Sequence, residues 1–221
     1  MTNGDPPPGP LRRGLQTGRL EAFSDGVFAI AITLLVLDIA VPASAEEHLL
    51  RSLANLWPSY LAYVVSFSTI GAMWLGHNAI TEYLDRVDVG FVRLNLLLLL
   101  FIAFLPFPTR LFADYIGKNS PERVAVTIYG LTLLLASTLL LVLWRYALRE
   151  QLVQPDTADE EIQLLTKRLT PGLAGYLVLI VTGLFIPIIA VAGYLVIAIF
   201  YIVPLRRGVI SFRRRRRLPR P

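Results

Sequence analysis

No cysteine occurs among the 221 residues, so disulfides, thiolate metal sites and thiol redox chemistry are excluded. Histidine is nearly as scarce, with His48 and His77 alone; the two are expected at opposite faces of the membrane, so a histidine-based zinc site is not expected. No Walker loop, HExxH sequence, Ser-His-Asp set or paired general acid and base is present, which argues against ATP-driven pumping, hydrolysis and enzyme activity altogether. No cofactor is implied either. Charge is also missing over long stretches, and residues 169–205 run uncharged for 37 positions. A soluble domain leaves polar faces on its helices; blocks that are apolar all round belong in lipid or in a bundle interior.

Hydrophobic residues make up 55% of the chain. Laid out in order, the blocks predict an all-α membrane protein with six transmembrane helices at about residues 19–41, 57–77, 89–109, 124–145, 170–187 and 191–205. Trp57 and Pro58 open the second, Pro106 and Pro108 close the third, and residues 118–122 form a polar turn before the fourth. The 37-residue block is about 55 Å long as one helix, nearly twice a bilayer core of about 30 Å, so it must break into a hairpin near residues 187–193. A short interfacial helix is expected around Leu49, Leu50, Leu53 and Leu56, and a short surface helix starting at residues 157–160. The Pro- and Gly-rich residues 1–18 read as a disordered tail and residues 206–221 as a basic tail. A secretory signal peptide is the alternative for the first block, with Ala43-Ser44-Ala45 as its cleavage site; Asp25 at the start of the apolar run argues against it.

The net charge of +5 is unevenly placed, with five consecutive arginines at 213–217. That run reads as a solvated tail able to touch anionic lipid, not as a nucleic-acid site, because no aromatic residues or binding fold accompany it. With six spans, 17 of the 21 Lys and Arg residues fall on the side of the two termini. Both termini are therefore predicted to be cytoplasmic in a multi-pass protein of the cell membrane.

Residues 19–41 carry the strongest functional signal. Twelve uncharged residues separate Asp25 from Asp38, a helix little more than half the hydrocarbon thickness, so both carboxylates are expected inside the protein at membrane depth. An acid there costs roughly 3 kcal/mol or more and faces a bundle interior or a wet cavity. At about 100° per residue, Phe23, Gly26, Ile30, Thr33, Leu34 and Leu37 share one face, which spacing alone reads as ordinary packing. Ser24 and Asp25 by themselves suit a helix N-cap. His77 alone suits a hydrogen-bonded structural histidine.

The pattern Arg19, three variable residues, then Phe23-Ser24-Asp25, together with Trp74-Leu75-Gly76-His77-Asn78 and the run from Asn95 through Phe104-Leu105-Pro106-Phe107-Pro108-Thr109, resembles a bacterial member of the potassium channel family called transmembrane protein 175. The likeness covers the first half of the chain. It implies a homotetrameric pore lined by the first helix of each subunit, with Ile30, Leu34 and Leu37 as apolar constriction layers and Thr33 as a selectivity layer. It also implies an interhelical network in which Trp74, His77, Asn78 and Asn95 meet the Arg19, Phe23, Ser24, Asp25, Gly26 signature. Apolar rings gate by excluding water and hydroxyl rings offer oxygen ligands, whereas the Thr-Val-Gly-Tyr-Gly filter is absent. The expected function is thus a passive potassium-permeable channel whose partners are potassium ions, membrane lipids and copies of itself. Two other classes compete: a proton-coupled secondary transporter relaying through Asp25 and His77, although no convincing repeat is seen, and a non-conducting membrane scaffold.

Overall fold

The computed structural model describes residues 17–41, 48–118 and 120–203. Among these, the chain forms nine α-helices: α1 (Thr17–Leu34), α2 (Leu49–Asn55), α3 (Trp57–Glu82), α4 (Val89–Phe104), α5 (Pro106–Tyr115), α6 (Ser120–Arg149), α7 (Asp159–Leu169), α8 (Pro171–Phe185) and α9 (Pro187–Ile202). α1 tightens into a 3-10 turn, Leu35–Asp38, at its end. No strand occurs among the described residues; one isolated antiparallel bridge joins Leu84 to Val153.

Local chemistry accounts for the boundaries. Pro occupies the first turn of α3, α5, α8 and α9, where its missing N–H costs nothing. Asp88 caps α4, its Oδ1 accepting from the Phe91 N–H at 2.7 Å. α7 carries Asp159, Glu160 and Glu161 in its first turn and Lys167 and Arg168 in its last, matching the helix dipole.

α3 packs on α1, α5 and α9, and α6 packs on α4, α5 and α8. Trp144, Tyr129, Tyr194, Phe28 and Phe91 are among the side chains wholly enclosed between them. A buried polar tie joins three helices: Ser66 Oγ of α3 lies 2.8 Å from Thr109 Oγ1 of α5 and donates to the Tyr129 hydroxyl of α6 at 3.0 Å. At the far end of α3, the Asp85 N–H bonds the Leu152 carbonyl and the Gln154 N–H bonds that of Tyr83, both at 2.9 Å, so the loops after α3 and α6 are fastened together.

By length and composition, four helical stretches among the described residues can cross a membrane: Thr17–Asp38, Val89–Tyr115, Ser120–Arg149 and Asp159–Phe185; Pro187–Ile202 is a shorter apolar helix. Several boundaries differ from expectation. Thr17 and Gly18 already belong to α1, not to a tail. α3 runs past residue 77 to Glu82, so His77 and Asn78 lie within the helix. Pro106 and Pro108 do not close the third segment: the helix breaks at Leu105 and restarts as α5, because proline in a first turn clashes with nothing behind it. Ser120 and Glu122 are helical, and α6 extends four residues beyond Arg145.

The break in the long apolar block falls at Ile186, ahead of Pro187. Residue 193 is packing, not turn. A Cβ on Gly193 would collide with Leu179, one on Gly175 would lie 2.9 Å from Ile197, and one on Gly183 3.3 Å from Ala190. Those pairs run antiparallel in register, so glycines let α8 and α9 close on each other. α2 and α7 stand near the expected short helices. Residues 1–16, the segment with Ala43-Ser44-Ala45, and the tail at 206–221 lie outside the described residues.

Candidate functional site

α1 has two sharply different faces. Leu20, Ser24, Phe28, Ala31 and Leu35, spaced by three and four, are buried against α3 and α4. On the other face Phe23 is 54% exposed, Ile30 61%, Leu34 42% and Leu37 71%. Thr33 and Gly26 are exposed on this face as well. A Cβ added to Gly26 would meet nothing within 4 Å, so in the single chain the small residue serves no contact.

Geometry arranges this exposed face in layers. Four residues of α-helix put Ile30 and Leu34 about 6 Å apart along the axis. From Leu34 the chain tightens to 3-10, in which residues three apart eclipse at about 2 Å rise each, so Leu37 stands over Leu34 at a similar spacing. Thr33 Oγ1 donates to the Ile30 carbonyl at 2.9 Å. With its proton spent on its own helix, the exposed hydroxyl keeps its oxygen lone pairs as acceptors.

The buried face is anchored by a three-helix hydrogen-bond chain. His77 Nε2 of α3 lies 2.8 Å from Asn95 Oδ1 of α4, and Asn95 Nδ2 donates to Ser24 Oγ of α1 at 2.9 Å. Because the amide oxygen only accepts, Nε2 carries the proton and His77 is the donor. Ser24 and Asn95 are fully buried and His77 nearly so, and the His77 ring packs on Phe28 at 5.5 Å between centroids.

Asp25 is placed otherwise than expected. Its side chain is exposed in the single chain and takes one hydrogen bond, from Trp74 Nε1 at 2.9 Å. The reason is angular: Asp25 follows Ser24 by 100°, which turns it off the face that α3 and α4 cover. Trp74, His77, Asn95, Ser24 and Asp25 are thus brought together. Arg19 and Asn78 are not: Arg19 is exposed and makes no ion pair among the described residues, and Asn78 turns to another side of α3, where it lines a cavity with Glu82 and Arg168.

At the opposite end, Asp38 is mostly covered, with 22% of its side chain exposed, and Arg110 Nη1 of α5 lies 3.9 Å from its Oδ1. Arg110 also pairs with Asp114 at 3.8 Å. Phe28 and Arg110 were not singled out in the sequence. Phe28 was legible as the residue one turn beyond Ser24, and Arg110 as the base nearest the apolar run that precedes it. Among the described residues no group of three or more His, Cys, Asp or Glu could hold a metal.

Comparison with known proteins gives related findings. The family profile described as "TMEM175: Endosomal/lysosomal potassium channel TMEM175" matches residues 19–106. A Chamaesiphon minutus protein named as a potassium channel is 41% identical over 192 residues, covering 84% of this chain and 93% of its own. A Streptomyces collinus protein named likewise is 46% identical over 135 residues, 61% of this chain, and the match spans just under two thirds, 66%, of its length. Vertebrate relatives, the human one included, are named as endosomal/lysosomal proton channels; the match covers 30% of the human protein. The crystal structure of a lysosomal potassium-selective channel homologue from Chamaesiphon minutus superposes with a TM-score of 0.76 at 40% identity, covering 84% of this chain and 96% of that one.

Proposed function

Because the chain belongs to the TMEM175 family, we propose that it is a passive potassium-permeable cation channel of the cell membrane, assembled as a homotetramer with one α1 per subunit around the axis. The observation that carries this reading is the uncovered face of α1, where Ile30, Leu34 and Leu37 repeat at even axial spacing beside an outward Thr33 oxygen. One copy cannot enclose a pore; a closed ring of copies can. In that ring each apolar layer strips water from a passing ion, and the Thr33 layer returns oxygen ligands to it.

Six crossings follow if α1, α3, α4 with α5, α6, α8 and α9 each traverse the bilayer. The count of 17 against 4 basic residues then puts both termini in the cytoplasm. The Ser24-Asn95-His77 chain holds α1 in the rotation that presents this face to the axis. Enzymatic chemistry has no place in the reading, since the relatives are channels by name.

The test is purified protein in liposomes, with potassium flux and proton flux followed separately. Potassium flux down its own gradient at equal pH on both sides supports the proposal. Flux that requires a proton gradient would make the protein a coupled transporter, proton movement without potassium would assign it the activity named for the vertebrate relatives, and no flux would leave a scaffold.

A further inference from the structure

On the side of α3 turned away from α1, a cavity of about 340 Å³ lies between α3, α6, α7, α8 and α9. That volume falls at the lower end of the roughly 300–1,000 Å³ of ligand pockets. Its body is apolar, lined by Ala72, Met73, Leu75, Leu140, Leu165 and Leu169. Its rim is not: Glu82, Arg168, Asn78 and Tyr201 also line it. Glu82 ends α3, Arg168 stands in the last turn of α7, and Tyr201 is in the last turn of α9. Three helix ends thus meet at one level, with an interfacial tyrosine. From Glu82 down to Ala72 is ten residues of α3, about 15 Å, which is one leaflet of a core about 30 Å thick.

Neither rim charge is in an ion pair among the described residues. Arg168 Nη2 donates to the Tyr201 carbonyl at 2.6 Å, which leaves most of its N–H donors free. Tyr201 in turn accepts the Gly172 N–H on its hydroxyl at 3.0 Å, so the arginine is held against a braced support. The Glu82 carboxylate makes no ion pair among the described residues, with Arg168 or with any other base. A cation and an anion on the rim of one cavity, unpaired with each other and opening on an apolar slot about one leaflet deep, complement one chemistry. We infer that this cavity binds a phospholipid with a primary amine in its headgroup, its phosphate on Arg168, its ammonium on Glu82 and one acyl chain along α3. Basic pockets between membrane helices bind lipid phosphates in this way. The ammonium adds N–H donors that a quaternary amine lacks, so the site distinguishes ethanolamine from choline headgroups.

This inference does not rest on conduction and is tested apart from it. Full-length protein in mild detergent is offered phosphatidylethanolamine, phosphatidylcholine and phosphatidylglycerol with identical acyl chains, and retained lipid is counted by native mass spectrometry. The ethanolamine lipid is expected to be retained about tenfold more tightly than the choline lipid, a difference of one charge-assisted hydrogen bond. Arg168→Gln should weaken all three lipids, whereas Glu82→Gln, a surface change that leaves the fold alone, should remove only the preference for ethanolamine. Ala79→Leu, which narrows the cavity beside both charges, should release lipid from otherwise wild-type protein. Equal retention of the three lipids, a preference for phosphatidylglycerol, an ethanolamine preference that survives in Glu82→Gln, or undiminished binding by Ala79→Leu would overturn the assignment.

Discussion

Replacing Asn95 by Leu tests the anchor of α1 while holding side-chain volume nearly constant. The substitution removes both ends of one amide: the acceptor for the His77 Nε2 proton at 2.8 Å and the donor to Ser24 Oγ at 2.9 Å. Neither orphan can turn to water, since Ser24 and Asn95 are fully enclosed and His77 is 1% exposed. Each stranded polar group costs about 1–3 kcal/mol, so the expected loss is about 2–6 kcal/mol with no cavity contribution to add. Ser24→Ala removes only the far end of the chain, strands Asn95 Nδ2 alone and should cost about 1–3 kcal/mol. If the three residues act as a unit, Ser24→Ala costs less once Asn95 is Leu, and a double-mutant cycle measures that coupling at 0.5 kcal/mol or above by rough expectation. Denaturant unfolding of the purified variants in detergent, followed by tryptophan fluorescence, gives the numbers. An Asn95→Leu protein within about 0.5 kcal/mol of wild type, or strictly additive single mutants, would refute the claim that the chain fixes α1.

Ile30→Asn should raise cation flux and weaken discrimination among cations, because it wets one layer of the proposed constriction; planar-bilayer recordings of well-assembled protein with unchanged conductance and selectivity count against a pore-lining α1. Thr33→Ala should lower the preference for potassium over sodium, read as a shift in reversal potential, while leaving assembly intact, since the hydroxyl bonds only its own helix. Cysteines introduced at Ser120 and Gln154, which flank the two ends of α6 in a chain without native cysteine, should be labelled from outside and from inside respectively by an impermeant thiol reagent. Labelling of Gln154 from outside would reverse the charge-based orientation.

The helices were legible where composition is extreme. Uncharged blocks mark α1, α6 and the α8–α9 pair because lipid tolerates little else, and Pro58 marks a start because proline suits a first turn; Pro187 was read as part of the hairpin, whereas it opens α9. Ends were harder to read, since the hydropathy that signals a span stops at the headgroups while the hydrogen-bonded helix continues: α3 reaches Glu82 and α6 reaches Arg149. Pro106 illustrates the same ambiguity, because a proline says that a helix cannot continue through it and says nothing of whether another begins there. At the site, the 3.6 periodicity identified the shared face of Ile30, Leu34 and Leu37. It could not say which of two adjacent polar residues turns inward, and Ser24, not Asp25, joins His77 and Asn95. One residue is 100° of helix, and only the neighbours decide how that rotation is spent.

That rotation is the link between the anchor and the pore face. α1 touches the bundle through Leu20, Phe28, Ala31 and Leu35, all apolar and all tolerant of small slips. Hydrophobic contact sets how much surface is covered but discriminates weakly among neighbouring registers. Polar contacts at both ends remove the ambiguity: Ser24 must meet Asn95 near one end, and Asp38 lies beside Arg110 at the other. A turn of one residue would withdraw Ser24 from Asn95 and leave two enclosed polar groups, Ser24 Oγ and Asn95 Nδ2, unpaired, at about 1–3 kcal/mol each. The same turn would replace Ile30 on the outer face with Ala29 or Ala31 and exchange a bulky layer for a small one. The buried chain of three side chains therefore fixes which residues face outward without touching any of them, and the width of a pore built from α1 depends on a hydrogen bond on the far side of the helix.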